Sequence, residues 1–308
     1  MKATIRDLFG IGPNYPIEVK EGNHPMVPKV KSYIFRPGAM SDLMAWFLAS
    51  KEPLLITGPT GSGKSSLVEQ VAARLGQPLY TVPCHGQADT VDLFGRYVVR
   101  NGSMQWADGP LLAGIKDPAG AWVLLEEYDT LPPGVFVSLN ALLEGRRFIL
   151  PETGELVDPA ANGARIICTG NTTGVDDTGG EYAGVLRQNQ ATMGRFVVME
   201  VGYASPPEEE EVLIKHFPMF PRERIKVMTR VATLVRERYI TGDMPVVFCT
   251  RTLLRWVYLT EFFKKKEGIG GDDWTSPLHH ALDRAVGFKY NPTVREALHE
   301  IVQRVCGA

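Results

Sequence analysis

Short continuous apolar runs punctuate the first two thirds of the chain, and helical stripes fill the last third. The runs are Pro53–Thr57, Pro78–Val82, Ala121–Leu125, Ala164–Gly170 and Arg195–Val201. Each is brief and apolar at most positions and reads as a strand of the core, and Ala121–Leu125 is continuous, as expected of a strand covered on both faces. Between the first two, Leu67, Val71, Ala72 and Leu75 mark one face of a helix that Gly76 can end. A helix over 39–50 sets Met40, Leu43, Met44, Phe47 and Leu48 on one side, and another runs from Pro133 to Glu144 and stops at Gly145. Asn101-Gly102 between two strand-like runs, Tyr97–Arg100 and Ser103–Trp106, predicts a hairpin. A second hairpin is expected through Phe148–Val157, and the Gly-rich tract Thr173–Gly184 reads as a loop leading to a short helix that ends near Gln190.

From Ser205 the pattern is helical only. Ser205-Pro206-Pro207-Glu208-Glu209-Glu210-Glu211 is a start signal: a capping Ser, Pro in the first turn and acids against the helix dipole. Further helices begin near Pro221, Thr250, Pro277 and Pro292, the last with a stripe of Val294, Ala297, Leu298, Ile301, Val302 and Val305. The predicted fold class is therefore α/β: a core with a parallel sheet flanked by helices, followed by a smaller all-helical lid domain. Expected domains are an N-terminal arm over 1–38, rich in Pro and Gly and extended, an α/β core over 39–204, and the lid over 205–308.

Composition narrows the classes. At 44% hydrophobic, 22% charged and a net charge of −2, the chain has the balance of a soluble globular protein, with no overall pull toward nucleic acid or an anionic membrane. Cys84, Cys168, Cys249 and Cys306 are too scattered for a zinc framework or a disulfide pattern, so reduced thiols and a cytoplasmic location are expected. No signal peptide opens the chain, and no apolar run approaches a membrane span.

The candidate chemistry begins at Gly58-Pro59-Thr60-Gly61-Ser62-Gly63-Lys64-Ser65, followed by Ser66, which fits the phosphate-binding pattern G-x-x-x-x-G-K-[ST] at every fixed position. The glycines let backbone N–H groups turn inward around phosphate oxygens, and a helix beginning near Lys64 adds its positive end. Lys64 is expected to face the β- and γ-phosphates of ATP, and the Ser65 hydroxyl to hold Mg²⁺. The Ala121–Leu125 strand ends in Glu126-Glu127-Tyr128-Asp129. Carboxylates there lie beside the crevice where open α/β sheets bind ligands, so Glu126 is expected to orient the Mg²⁺ shell and Glu127 to activate water. Asn171, at the end of the next apolar run, is a polar amide able to position that water.

Together these residues resemble an AAA+ ATPase and, within that superfamily, the MoxR group; the likeness is greatest to the family of the ATPase (small) subunit of aerobic cobaltochelatase, CobS. Gly58–Ser65 resembles Walker A, Leu124-Leu125-Glu126-Glu127 resembles Walker B, and Asn171 matches sensor 1. Arg195 resembles the arginine finger, and Arg251 in Cys249-Thr250-Arg251 the sensor 2 arginine. Ile5–Ile11 and the tract from Gln188 to Met193 are similar to that subunit family as well. Glu126 stands where the family has Asp, and Gly194 replaces the Asp before the finger. The resemblance implies a homo-oligomer, commonly a hexameric ring, with Arg195 reaching ATP held by the neighbouring subunit. It also implies a von Willebrand factor A-domain partner and a protein client contacted through the Tyr97–Trp106 hairpin. The function expected is an ATP-hydrolysing remodelling motor, extending to metal insertion into a cofactor. The alternative is a nucleic-acid motor of the restriction type, but a nucleic-acid partner is not expected, because Lys264-Lys265-Lys266 is the only basic triplet and compensates a helix C-terminus more simply.

Overall fold

A computed structural model describes residues 2–174, 184–266 and 275–307. The chain divides into two units, one of Met1–Lys31, Phe35–Pro59 and Gly63–Gly202, the other of Ser32–Ile34, Thr60–Ser62 and Tyr203–Ala308.

In the first unit, β1 (Lys2–Thr4) and β2 (Pro16–Glu18) pair antiparallel about α1 (Ile5–Phe9). The helix is closed at its start by a reciprocal Thr4–Asp7 capping box. This stretch is thus folded where an extended arm was expected. Next come α2 (Pro37–Ala49), β3 (Leu54–Thr57), α3 (Lys64–Leu75), β4 (Leu79–Pro83) and α4 (Thr90–Phe94). The hairpin of β5 (Gly95–Arg100) and β6 (Ser103–Asp108) leads to α5 (Pro110–Lys116) and β7 (Trp122–Glu126). After a 3-10 turn over Tyr128–Thr130 follow α6 (Pro133–Ser138), α7 (Asn140–Leu143), β8 (Phe148–Ile149), β9 (Leu156–Val157), β10 (Arg165–Thr169), α8 (Gln190–Met193) and β11 (Val197–Glu200).

The five apolar runs form one parallel sheet in the order β11-β3-β10-β7-β4. Leu54, Leu55, Ile56, Val123, Leu124, Leu125, Ile167 and Cys168 are wholly buried, which is why their strands read as unbroken apolar runs. Register aligns the strand ends: Glu126 pairs with Thr169, Thr169 with Ile56, and Glu200 with Thr57. The carboxyl ends therefore lie along one edge of the sheet and the amino ends along the other.

Three details differ from the sequence pattern. The buried face of α2 uses Trp46, not Leu48, because Trp46 packs edge-on to Trp122 with ring centroids 5.8 Å apart and donates to the Glu52 carbonyl at 2.8 Å. The expected helix from Pro133 to Glu144 breaks at Leu139, where Ser138 Oγ donates back to the Val135 carbonyl at 2.6 Å among β-branched neighbours. The helix expected to end near Gln190 instead begins there, capped by Asn189; the 175–183 part of the preceding tract lies outside the described residues.

The second unit carries α9 (Pro206–His216), α10 (Arg222–Ile240), α11 (Thr250–Lys266), α12 (Thr275–Ala285) and α13 (Pro292–Cys306). Its core gathers Phe248, Met228, Leu253, Trp256, Leu282, Leu298 and Val302, all 1% exposed or less. Among the described residues no helix is long and apolar enough to cross a membrane.

Candidate nucleotide site

The site grows from the carboxyl ends of β3, β10 and β7. Past β3 the chain must turn sharply into α3, and Gly58, Gly61 and Gly63 make that turn with φ of 140°, 71° and 95°. A Cβ on Gly58 would lie 2.2 Å from the Val201 carbonyl oxygen, and one on Gly61 would lie 2.5 Å from Cys249 Cβ. No side chain fits at either place, so at these two positions the loop presents backbone only, with the N-terminus of α3 behind it.

Lys64 opens α3 and turns its amine back into the loop. Its Nζ donates to the carbonyls of Gly58 at 2.6 Å and Pro59 at 3.1 Å, and to Asn171 Oδ1 at 3.1 Å. Two expected site residues thus meet directly. Burial pulls the Lys64 pKa down from 10.5 to about 8, against the opposing pull of the Asp129 and Glu127 carboxylates. Ser65 lies half-buried in the first turn of the helix, and Ser66 is exposed. The glycine turn, helix end and lysine fit a phosphate chain, so the donor set suits a nucleotide.

At the end of β7, Glu126 is half-buried and Glu127 exposed. Glu127 adopts φ 56°, ψ 42°, a left-handed conformation costly for a residue with a side chain, at about 1–3 kcal/mol. The turn is held by Thr130, whose N–H and hydroxyl both donate to the Glu127 carbonyl, at 2.9 and 2.8 Å. The only other described non-glycine residue with positive φ is Asn101, in the hairpin turn where such angles are required. The effect at Glu127 is to leave its carboxylate at the strand end while Tyr128 and Asp129, next in the chain, are fully buried.

Asp129 is the residue that the motif reading missed as a contributor. Its Oδ2 accepts from Asn171 N at 2.8 Å, Thr172 N at 3.0 Å and Thr172 Oγ1 at 3.2 Å, which fixes the turn that carries the Asn171 side chain toward Lys64. Its acidity next to Glu126-Glu127 was the visible signal; its burial was not. The same cluster acts on Cys84, whose thiol is pushed up to about 12 by burial and by the charges of Asp129, Glu126 and Glu127.

Arg195 is not brought to this cluster. It precedes β11, whose Val197 pairs with Leu54, and so sits at the amino edge of the sheet. Three residue steps of β3 alone separate the two edges by about 10 Å. There Arg195 Nε donates to Glu144 Oε1 at 2.6 Å, Nη2 lies 2.5 Å from the same oxygen, and Nη1 donates to the Ala191 carbonyl. Arg251 belongs to the second unit, exposed in the first turn of α11.

A sequence profile for the AAA domain (dynein-related subfamily) matches residues 53–187, from β3 through the Asn171 turn. Protein NorQ of Paracoccus denitrificans (strain Pd 1222) is 34% identical over 205 residues, which cover 66% of this chain and 68% of NorQ. This chain is an AAA+ ATPase of the MoxR group. Aerobic cobaltochelatase subunit CobS of Sinorhizobium sp is 29% identical over 271 residues, 84% of this chain and 80% of that subunit. Protein CbbQ of Hydrogenophilus thermoluteolus is 30% identical over 195 residues, 63% and 68% of the two chains.

Two further features of this MoxR-group chain bear on its sites. Glu209, read from the sequence as one of several acids facing a helix dipole, is instead wholly buried against Arg236. The pair is bidentate, Nη1–Oε2 and Nη2–Oε1 both at 2.8 Å. Arg236 Nε also donates to the Phe248 carbonyl at 2.6 Å, and Thr250 Oγ1 donates to Glu209 Oε1 at 2.8 Å. These bonds clamp the residues just before Arg251. In the hairpin, Tyr97 pairs with Trp106 across the strands, ring centroids 5.3 Å apart. Trp106 packs against the core, whereas Tyr97 is half-exposed with its hydroxyl on the Glu152 carbonyl at 2.9 Å, and Val99 and Met104 are 74% and 71% exposed.

Proposed function

We propose that this ATPase is a remodelling motor that couples ATP hydrolysis, assisted by Mg²⁺, to work on a partner or client protein. In this reading Gly58–Ser66 cradle the phosphates, with the Lys64 amine exchanging its loop carbonyls for phosphate oxygens. Ser65 and Glu126 hold the metal, whose charge when bound offsets that of the phosphates. Glu127 takes the proton of the attacking water and Asn171 orients that water. Arg195 stabilises the transferring phosphoryl group of a neighbouring copy, and Arg251 contacts the nucleotide of its own chain. The observation that carries the reading is the division of parts between two edges of one sheet: Lys64, Asn171 and Glu127 along the carboxyl edge and Arg195 along the amino edge. A head-to-tail ring, of six copies on the family's pattern, joins one edge to the other.

The exposed Val99 and Met104 of the hairpin supply the contact to a client, and a von Willebrand factor A-domain protein is the partner. The cobaltochelatase subunit among its relatives favours metal insertion into a cofactor as the work done. The direct experiment is Glu127→Gln. Nucleotide affinity is expected to stay within about twofold while turnover falls by roughly 10²–10⁴, the usual worth of a general base. Normal hydrolysis by this variant would remove Glu127 from the proposed role.

A further inference from the structure

The tip of the glycine loop, Thr60–Ser62, groups with the helical unit, while Gly58 and Lys64 on either side of it group with the sheet. Two side chains of the helical unit hold that tip. Cys249 fills the space beside Gly61, where an added Cβ would lie 2.5 Å from the Cys249 Cβ. The Tyr203 hydroxyl donates to the Thr60 carbonyl at 3.0 Å.

Tyr203 follows β11 and stands two residues before Ser205, where the reciprocal Ser205–Glu208 capping box starts α9. The Arg236 guanidinium carbon lies 4.4 Å from the centroid of its ring. Arg236 is itself locked by the buried Glu209 carboxylate and by the Phe248 carbonyl. The aromatic face is thus seated on a cation held from three directions, and the hydroxyl is aimed from a fixed base.

The Thr60–Gly61 peptide is trans, and in a planar trans peptide the C=O and the following N–H point to opposite sides. Holding the Thr60 oxygen toward Tyr203 therefore turns the Gly61 N–H away from it. That N–H has no acceptor among the described residues. Gly61 sits at φ 71°, and glycine accepts either sign of φ, so an unanchored peptide here is free to turn over and carry its N–H to the other side. An anchored peptide with an open donor, in a loop of backbone N–H groups, suits an oxygen of a phosphate chain.

We propose, on the reading that Gly58–Ser66 cradle the phosphates, that Tyr203 is a positioning residue of this ATPase. Its hydroxyl fixes the Thr60–Gly61 peptide so that the Gly61 N–H donates to the phosphate chain.

The test is calorimetric titration of the full chain, with Mg²⁺, using two probes. One is a non-hydrolysable ATP analogue; the other is inorganic tripolyphosphate, which offers a phosphate chain without base or ribose. Tyr203→Phe keeps the ring on Arg236 and removes only the donor. Its affinity for both probes is expected to weaken by roughly three- to tenfold, the usual worth of one hydrogen bond, at temperatures where the variant is fully folded. Unchanged affinities in folded Tyr203→Phe overturn the proposal and leave Tyr203 a purely structural part. So does a loss for the ATP analogue alone, since the hydroxyl then meets the base or ribose. A second measurement needs no variant: tripolyphosphate should slow hydrogen exchange of the Gly61 amide in the wild type, and unchanged exchange at saturation overturns the proposal as well. Lys64→Ala separates the two readings. If it binds tripolyphosphate as the wild type does, the cradle reading fails and takes this inference with it. If it loses tripolyphosphate while Tyr203→Phe keeps wild-type affinity, this inference falls alone.

Discussion

Lys64 is held between two loop carbonyls and the Asn171 amide, with a pKa near 8. The sign of its pH dependence follows from which state binds the proton more tightly. In the unfolded chain the amine keeps its proton to about pH 10.4. Between pH 8 and that value the unfolded state holds more protons, so this group's contribution to stability rises with pH through the window. Phosphates reverse the environment and restore the proton. Nucleotide affinity should therefore be flat near neutrality and fall by up to about tenfold per pH unit above 8, with proton uptake visible as a buffer-dependent binding enthalpy. A flat affinity to pH 9.5 with no proton uptake would show that Lys64 is not the group that meets the phosphates. Asp129 makes a separate case. Asp129→Ala leaves the buried N–H groups of Asn171 and Thr172 without their acceptor, at about 1–3 kcal/mol each. If it also places Asn171, turnover should drop at temperatures far below the lowered midpoint, by more than nucleotide affinity does; a purely structural Asp129 would lower only the midpoint. The placement of Lys64, Glu127 and Asn171 at one edge of the sheet could be read from the chain because spacing within a loop and position at a strand's end are local properties. Asp129 and Glu209 could not, since what hides a carboxylate is the packing of segments remote in sequence.

At the scale of elements, the Glu209–Arg236 pair ties α9 to α10 and, through the Phe248 carbonyl and Thr250, to the start of α11. The Tyr203 ring lies over Arg236 at 4.4 Å, and the Tyr203 hydroxyl donates to the Thr60 carbonyl at 3.0 Å. Arg236→Met strands a buried carboxylate and should cost about 3–5 kcal/mol in urea denaturation, while Glu209→Leu combined with Arg236→Met should recover part of that loss. The double variant then isolates the placement of Arg251. Weakened nucleotide affinity in a refolded double variant is expected if the clamp sets α11, and wild-type affinity would limit the pair to stability. The central strands β3, β7 and β10 were legible because burial on both faces leaves few polar positions in a run, whereas the edge strands β4 and β11 expose Thr81 and Val198; the Asn101-Gly102 turn was legible because few residues accept its angles. The break at Leu139 and the folding of residues 2–18 were not. Both depend on contacts weaker than a hydrophobic stripe: one hydroxyl on a carbonyl, and one short ladder closed by a cap.

At the level of the whole molecule, the proposed division of labour uses both edges of the sheet. The loop of Lys64 and Glu127 lie at one edge and Arg195 at the other, so on the proposed reading a single copy would hold the parts of two half-sites. Glu144 keeps Arg195 oriented in the meantime. Alone, Lys64→Ala should fail to bind nucleotide, and Arg195→Ala should bind it but turn over roughly 10³-fold or more slowly. Neither should be active by itself. Mixing the two is the most direct measurement, because a junction pairing the intact Lys64 pocket of one copy with the intact Arg195 of the other has every part. ATP hydrolysis is expected to reappear on mixing, with a maximum near equal amounts. Mixed assemblies that form and stay inactive would contradict that division of labour.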